Sequence, residues 1–135
     1  MASTAQEIVV VYGVLIIAWG MVLGIPLAAA RQSAAQAPRY LVTSHLAALM
    51  QGAMHMGFFV AFGVADLSSG VATTAACLLV VGSFLEAAGG AANWLAGIKD
   101  QFADKNLGLK LNSLSSPPAL IGIVLLVVGV LRGVL

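Results

Sequence analysis

Residues 8–30, IVVVYGVLIIAWGMVLGIPLAAA, form the stretch that decides the fold. These 23 residues contain no charged side chain. One helix needs about 20 apolar residues to cross a hydrocarbon core of about 30 Å. A signal peptide has a basic leading region and a shorter apolar run, whereas Glu7 precedes this stretch and no Lys or Arg does. The segment therefore predicts a retained transmembrane helix.

Three further apolar segments follow, at residues 40–64, 71–98 and 117–134. The connections between them are short, and short connections place successive helices antiparallel. Ser115 and Ser116 are expected to cap the fourth helix, with Pro117 and Pro118 in its first turn. Residues 107–111 are expected to lie on the membrane surface. The chain is predicted to be one domain, residues 1–135, an all-α membrane protein that forms an antiparallel four-helix transmembrane bundle.

The composition excludes several classes of protein. Hydrophobic residues make up 61% of the 135 residues and charged residues only 8%, whereas a soluble domain has about 25% charged residues. A net charge of +1 does not provide the strongly positive surface that binds a polyanion such as a nucleic acid. The single cysteine, Cys77, excludes an internal disulfide and is expected to be buried and inert. A soluble enzyme, a nucleic-acid binder and a disordered tail are therefore excluded.

Basic residues are distributed unequally between the two ends of the predicted bundle. The first and third connections lie on one side of the membrane, and five of the six basic residues fall there: Arg31, Arg39, Lys99, Lys105 and Lys110. The other side holds only Arg132. Because short cytoplasmic loops are enriched in Lys and Arg, that first side is predicted to be cytoplasmic, with both termini outside.

Five deep polar residues fall on the second and third predicted helices: His45, Gln51, His55, Glu86 and Asn93. Such residues in a membrane span usually face the bundle and often mark a functional site. At 100° per residue, His45, Ala48, Gln51, Gly52 and His55 share an arc of about 120°. Ala48 and Gly52 are expected to leave space for a flat cofactor beside the His45 imidazole.

The third helix carries a matching stripe at helical spacing, formed by Gly82, Glu86, Gly90, Asn93 and Gly97. At 1.5 Å per residue, the two stripes reach similar depths and are predicted to meet in one buried polar pocket. Plainer readings stay open: His45 as a core histidine, His55 as a structural group bonded to Gln51, and small residues that serve helix packing. Tyr12 is expected to be an interfacial anchor.

The size, the four spans and the segment HLAALMQG at residues 45–52 resemble bacterial hydroxylaminobenzene mutases. The similarity covers the whole chain and is strongest in the second predicted helix and at residues 86–94. A more distant resemblance is to styrene oxide isomerases, where a histidine is followed six residues later by asparagine and glycine. The corresponding positions here are His45, Gln51 and Gly52. Those isomerases also have an acid on the third helix and a tyrosine about two turns on, where this chain has Asn93-Trp94.

The resemblance implies an isomerase in a bacterial inner membrane that converts hydroxylaminobenzene into 2-aminophenol. It also implies a homo-oligomer, with a trimer favoured, and haem b whose ferric iron acts as a Lewis acid. In this interpretation His45 ligates the iron, Ala48 and Gly52 border the haem, and Glu86 moves the proton. Gln51 and Asn93 orient the hydroxylamine, and His55 supports Gln51 or carries a proton.

Three other functions stay open from the sequence. A short four-span protein with one intramembrane carboxylate is also typical of a small proton-coupled multidrug exporter, although those keep their glutamate on the first helix. A haem-carrying redox subunit would show six-coordinate iron that is reversibly reduced. A structural membrane adaptor would tolerate alanine at every deep polar position.

Overall fold

The chain folds into five helices joined by short connections. The computed structural model describes residues 2–135, and no strand occurs among them. Four helices are long and apolar enough to cross a membrane, and the fifth is a single turn. The predicted all-α four-helix bundle is confirmed. The helices are α1 (Thr4–Ser33), α2 (Arg39–Val64), α3 (Ser69–Leu95), α4 (Gln101–Asp104) and α5 (Leu107–Val134).

Neighbouring long helices run antiparallel and pack as two tight pairs, α1 with α2 and α3 with α5. Helix α3 also contacts α1 and α2, so it lies at the centre of the arrangement. We call the end that holds the 34–38 and 96–106 connections the basic end. The opposite, terminal end holds the 65–68 connection and both chain termini. There the Asp66 amide donates to the Gly129 carbonyl at 2.9 Å, which ties the connection to α5.

Helix α1 begins with a reciprocal cap. The Gln6 amide donates to Ser3 Oγ at 3.3 Å, and the Ser3 amide donates to Gln6 Oε1 at 2.9 Å. The Gln6 side chain also donates to the Phe59 carbonyl of α2 at 3.1 Å. These bonds start α1 at Thr4, one turn before the predicted apolar span.

Helix α3 ends earlier than predicted. Gly97, assigned by spacing to the third helix, has φ +65° and lies beyond Leu95. Its amide donates to the Trp94 carbonyl at 2.9 Å, and the Ile98 amide donates to the Asn93 carbonyl at 3.0 Å. This is the pattern by which a left-handed glycine closes a helix. Gly97 is therefore a helix cap and not a member of the polar stripe.

Helix α5 begins ten residues earlier than predicted. Asn106 caps it, and its Oδ1 accepts from the Leu109 amide at 3.0 Å. Residues 107–111 form its first turn and are not a separate surface segment. Pro117 and Pro118 lie in its interior, so Ser115 and Ser116 do not cap it. Ser115 Oγ instead donates to the Asn112 carbonyl of the preceding turn at 2.7 Å.

The apolar core occupies the terminal half of the bundle. Its buried cluster comes from the first turns of α1 and α3 and the last turns of α2 and α5: Ala5, Val9, Phe62, Ala75, Ala76, Leu79 and Leu126. Of the buried polar side chains, Ser44, Asn93 and Ser115 lie nearer the basic end, and Gln51 lies at the middle of α2. The fold therefore places its polar chemistry in the half of the bundle closer to the basic end.

Candidate functional site

The polar faces of α2 and α3 meet through one hydrogen bond. Gln51 Nε2 on α2 donates to Glu86 Oε2 on α3 at 2.8 Å. Gln51 is 6% exposed, whereas Glu86 is exposed at the surface between the helices. Glu86 lies nine residues before the end of α3, about 14 Å along the helix at 1.5 Å per residue. This pair is the part of the predicted polar pocket that the fold brings together.

Two cavities meet at Glu86. We call one the polar cavity; it holds about 250 Å³ and extends from Glu86 toward the basic end. Its wall includes Tyr40, Thr43, Ser44, Asp100, Gln101 and Asn112. The other, the apolar cavity, holds about 580 Å³. Its wall includes Met50, Gln51, Met54, Phe58, Leu79 and Ile123. Because both cavities share Ala47 and Glu86, the carboxyl group lies at their junction.

His45 faces α1 and lines neither cavity. Its Nδ1 contacts the Gly20 carbonyl oxygen at 2.7 Å. A carbonyl only accepts, so Nδ1 carries the hydrogen and Nε2 keeps its lone pair. Within residues 2–135, Nε2 makes no hydrogen bond and is not a buried atom. His45 lies against α1, so the predicted pocket shared with Glu86 is absent from this fold.

Ala48 and Gly52 do not leave open space beside His45. A Cβ built on Gly52 would overlap the Ile17 side chain and lie 3.0 Å from the Gly13 carbonyl oxygen. A Cβ built on Gly20 would lie 3.2 Å from Ala48 Cβ. The small residues instead let α1 and α2 approach closely. The predicted slot for a flat haem is therefore filled by α1, so Ala48 and Gly52 do not border an open space beside His45.

His55 is fully buried against α1. Its Nδ1 contacts the Gln51 carbonyl at 2.8 Å, so the predicted bond between these residues is confirmed, with the main chain as acceptor. Its ring centroid lies 4.8 Å from that of Tyr12 and 5.2 Å from that of Phe58. Its Nε2 is buried and has no partner among residues 2–135. His55 therefore holds an unused acceptor inside the bundle.

Tyr12 lines neither cavity, and its position differs from the prediction. Its hydroxyl is buried and has no partner among residues 2–135, so it is not an interfacial anchor. The available signal is the spacing of α1, whose buried residues Val9, Gly13, Ile16, Gly20 and Leu23 follow one helical stripe. Tyr12 borders that stripe, three residues after Val9 and four before Ile16. The stripe marks the face of α1 that turns toward its neighbours.

Asn93 joins a network of amides at the basic end. It is 0% exposed, and its Nδ2 donates to Gln101 Oε1 at 2.7 Å. Asn106 Nδ2 donates to Asn93 Oδ1 at 2.7 Å, and Asn112 Nδ2 donates to Gln101 Oε1 at 3.0 Å. The Gln101 amide donates to Tyr40 Oη at 3.0 Å. Asn93 lines neither cavity and does not lie next to Glu86. Its bond to Gln101 instead fixes α4 beside the polar cavity.

Comparison with protein family models, with curated proteins and with solved structures finds no match to this chain. Among residues 2–135, no group of three or more His, Cys, Asp or Glu side chains is arranged to hold a metal ion. The chemical content of the site is a carboxyl group, an amide that orients it, and two cavities of different polarity. Such a junction can move a proton to or from an apolar molecule.

Proposed function

We propose that this chain is a membrane isomerase that converts hydroxylaminobenzene into 2-aminophenol. The observation that carries the proposal is the Gln51–Glu86 hydrogen bond of 2.8 Å at the junction of the two cavities. Among residues 2–135 the only ion pair joins Arg132 to Asp66, so no basic side chain neutralises Glu86. The resemblance of residues 45–52 to the mutases supplies the reaction.

The apolar cavity suits a small aromatic substrate. Its volume of about 580 Å³ lies within the range of ligand sites, about 300–1,000 Å³. Met50 and Met54 line it and are 66% and 53% exposed, so the cavity opens to the bilayer. Methionine adapts its shape and contacts aromatic rings favourably. A substrate dissolved in lipid therefore reaches Glu86 from the side of the bundle.

In the proposed mechanism Glu86 supplies and recovers one proton. Its carboxyl group protonates the hydroxyl oxygen as the N–O bond breaks, and the bonding electrons leave with that oxygen. The released water oxygen then forms a C–O bond at the ortho carbon and returns one proton to Glu86, while the ortho carbon loses its hydrogen as a proton and nitrogen gains one. Atoms and electrons balance, so no external reductant is needed. Gln51 holds the carboxyl group in position, and the His55 contact to the Gln51 carbonyl fixes that turn of α2.

The haem implied by the resemblance has one candidate ligand, His45. Its Nδ1 is held by Gly20 and its Nε2 is free to coordinate. A ferric haem would supply a Lewis acid for the departing oxygen. His45 contacts α1, whereas Glu86 on α3 bonds to Gln51 on α2. The proton chemistry above is therefore assigned to Glu86 and Gln51 alone.

The direct test measures 2-aminophenol formed from hydroxylaminobenzene by the purified protein in liposomes without an ion gradient. We expect Glu86→Gln to lower turnover by about 100-fold or more, the usual contribution of a positioned acid–base group. Glu7→Gln is the matched control, because it makes the same change at an exposed position in the first turn of α1. Full turnover in Glu86→Gln, or no product from the unaltered protein, contradicts the proposal.

A proton-coupled exporter is the second candidate, and the accessible carboxyl group of Glu86 favours it. An exporter uses a proton gradient to move an unchanged substrate, whereas an isomerase makes product without one. Liposomes loaded with a fluorescent organic cation and given an inward proton gradient separate the two functions. Gradient-driven efflux that Glu86→Gln abolishes, with no 2-aminophenol formed, identifies the exporter.

A further inference from the structure

The polar cavity connects Glu86 with the basic end of the bundle. Its outer wall carries Arg39 and Asp100, both exposed, and its inner limit is Glu86. Between them lie Thr43, Ser44 and other small or polar residues of α2 and α3. The terminal half of the bundle, by contrast, holds the apolar core. Polar surface therefore reaches Glu86 from one end of the bundle only.

Two residues of the cavity wall each hold a buried oxygen that lacks a hydrogen-bond partner among residues 2–135: Ser44 Oγ and Asn112 Oδ1. Ser44 is 6% exposed, so lipid headgroups and loop side chains do not satisfy it. Buried polar atoms of native proteins are almost always paired, with protein or with ordered water. A cavity of about 250 Å³ has room for several waters at about 30 Å³ each.

Gly90 lets α2 and α3 approach closely beside the polar cavity. A Cβ built on Gly90 would lie 2.6 Å from Ser44 Oγ, so the serine hydroxyl already occupies the space that a side chain would take. Ala47 and Ala87 also line the cavity and add little bulk. These two alanines leave the cavity its space, whereas Gly90 serves the packing of α2 against α3.

We propose that the polar cavity is a water-filled path through which Glu86 exchanges its proton with the aqueous phase at the basic end. The step is a transfer of one proton between a water molecule and the Glu86 carboxyl group. The inference rests on the proposed function only for what Glu86 does with that proton. The existence of the path is a separate claim, and accessibility measurements test it directly.

The test uses single-cysteine variants of the full chain in a Cys77→Ser background, because Cys77 is exposed and not buried as the sequence predicted. Ser44→Cys and Ala47→Cys place a thiol in the cavity wall. Leu46→Cys is the matched control, since Leu46 is 52% exposed at nearly the same depth and lines neither cavity. The probe is a membrane-impermeant trimethylammonium methanethiosulfonate, added to vesicles from one side at a time.

We expect the cavity thiols to react at least about tenfold faster than the Leu46→Cys thiol, because only a hydrated thiol ionises to the reactive thiolate. The reaction should occur from the basic end and not from the terminal end. If Ala47→Cys reacts no faster than Leu46→Cys, or reacts equally from both sides, the path does not exist. Fast labelling of a protein that forms no 2-aminophenol upholds the path and refutes the proposed function. Slow labelling of a protein that forms 2-aminophenol refutes the path and upholds the proposed function.

Discussion

The two tyrosines of the chain differ in whether their hydroxyls are paired. Tyr40 Oη accepts from the Gln101 amide at 3.0 Å, whereas Tyr12 Oη is buried without a partner among residues 2–135. We expect Tyr40→Phe to destabilise the protein by about 1 kcal/mol, the net value of one hydrogen bond. Tyr12→Phe should leave stability unchanged or raise it, since no bond is lost and a buried unpaired group is removed.

Thermal unfolding midpoints in one detergent measure this difference, and each tyrosine variant serves as the control for the other. A loss of stability in Tyr12→Phe would show that the hydroxyl has a partner, such as an ordered water. Equal midpoints for both variants would show that the Tyr40 bond does not hold α4.

His45 and His55 give opposite predictions for haem. A haem held by His45 predicts a Soret band in the purified protein that His45→Ala abolishes. His55→Gln is the matched control and should keep the band, because the His55 ring is buried beside Tyr12. Absorption spectra of the three proteins check this directly. A preparation that forms 2-aminophenol and has no Soret band would remove iron from the reaction.

The polar arc of α2 shows what the sequence can predict at this scale. Helical spacing correctly places His45, Gln51 and His55 on one side of the helix. It cannot show that this side is divided between two neighbours, with both histidines against α1 and Gln51 against α3. That division depends on where the neighbouring helices lie, and periodicity within one helix carries no such information.

At the level of elements, the close approach of α1 and α2 depends on Gly52. We expect Gly52→Ala to destabilise the pair by about 1–3 kcal/mol, the usual range for overpacking. The added Cβ would overlap Ile17 and lie 3.0 Å from the Gly13 carbonyl oxygen, which is backbone and cannot rotate away. Unfolding of the purified protein measured by circular dichroism gives the change in stability.

Gly57→Ala is the control on the same helix, because a Cβ built there meets nothing within 4 Å. Alanine is favoured over glycine in a helix by about 1 kcal/mol, so this variant should be neutral or more stable. If Gly52→Ala is as stable as Gly57→Ala, the close approach of α1 and α2 does not depend on the absence of a side chain at position 52.

The sequence predicts where elements exist better than where they begin and end. All four long helices overlap their predicted spans, because the length of an apolar run is a strong signal. The predicted start of α5 was wrong because proline is common in the first turn of a helix, whereas Pro117 and Pro118 lie in the interior of this one. The deciding contacts are the Asn106 cap and the bonds that Gln101, Asn106 and Asn112 make in the amide network, and these three residues lie outside the apolar runs.

Across the whole molecule, polarity changes from one end of the bundle to the other. The terminal half is closed by the apolar core, and the half nearer the basic end holds the polar cavity and the amide network. The junction at Glu86 lies between these halves, open sideways through the apolar cavity. An apolar molecule and water can thus approach one carboxyl group by different routes.

This asymmetry fixes the expected orientation in the membrane. Five basic residues lie at the basic end, whereas Arg132 at the terminal end is paired with Asp66 at 3.8 Å. Because cytoplasmic loops are enriched in Lys and Arg, the basic end should be cytoplasmic. In a Cys77→Ser background, an impermeant maleimide should label Ser68→Cys in intact cells and Lys105→Cys only after permeabilisation. Both positions are exposed, so labelling in the reverse order would invert the orientation, and Glu86 would then draw its protons from outside the cell.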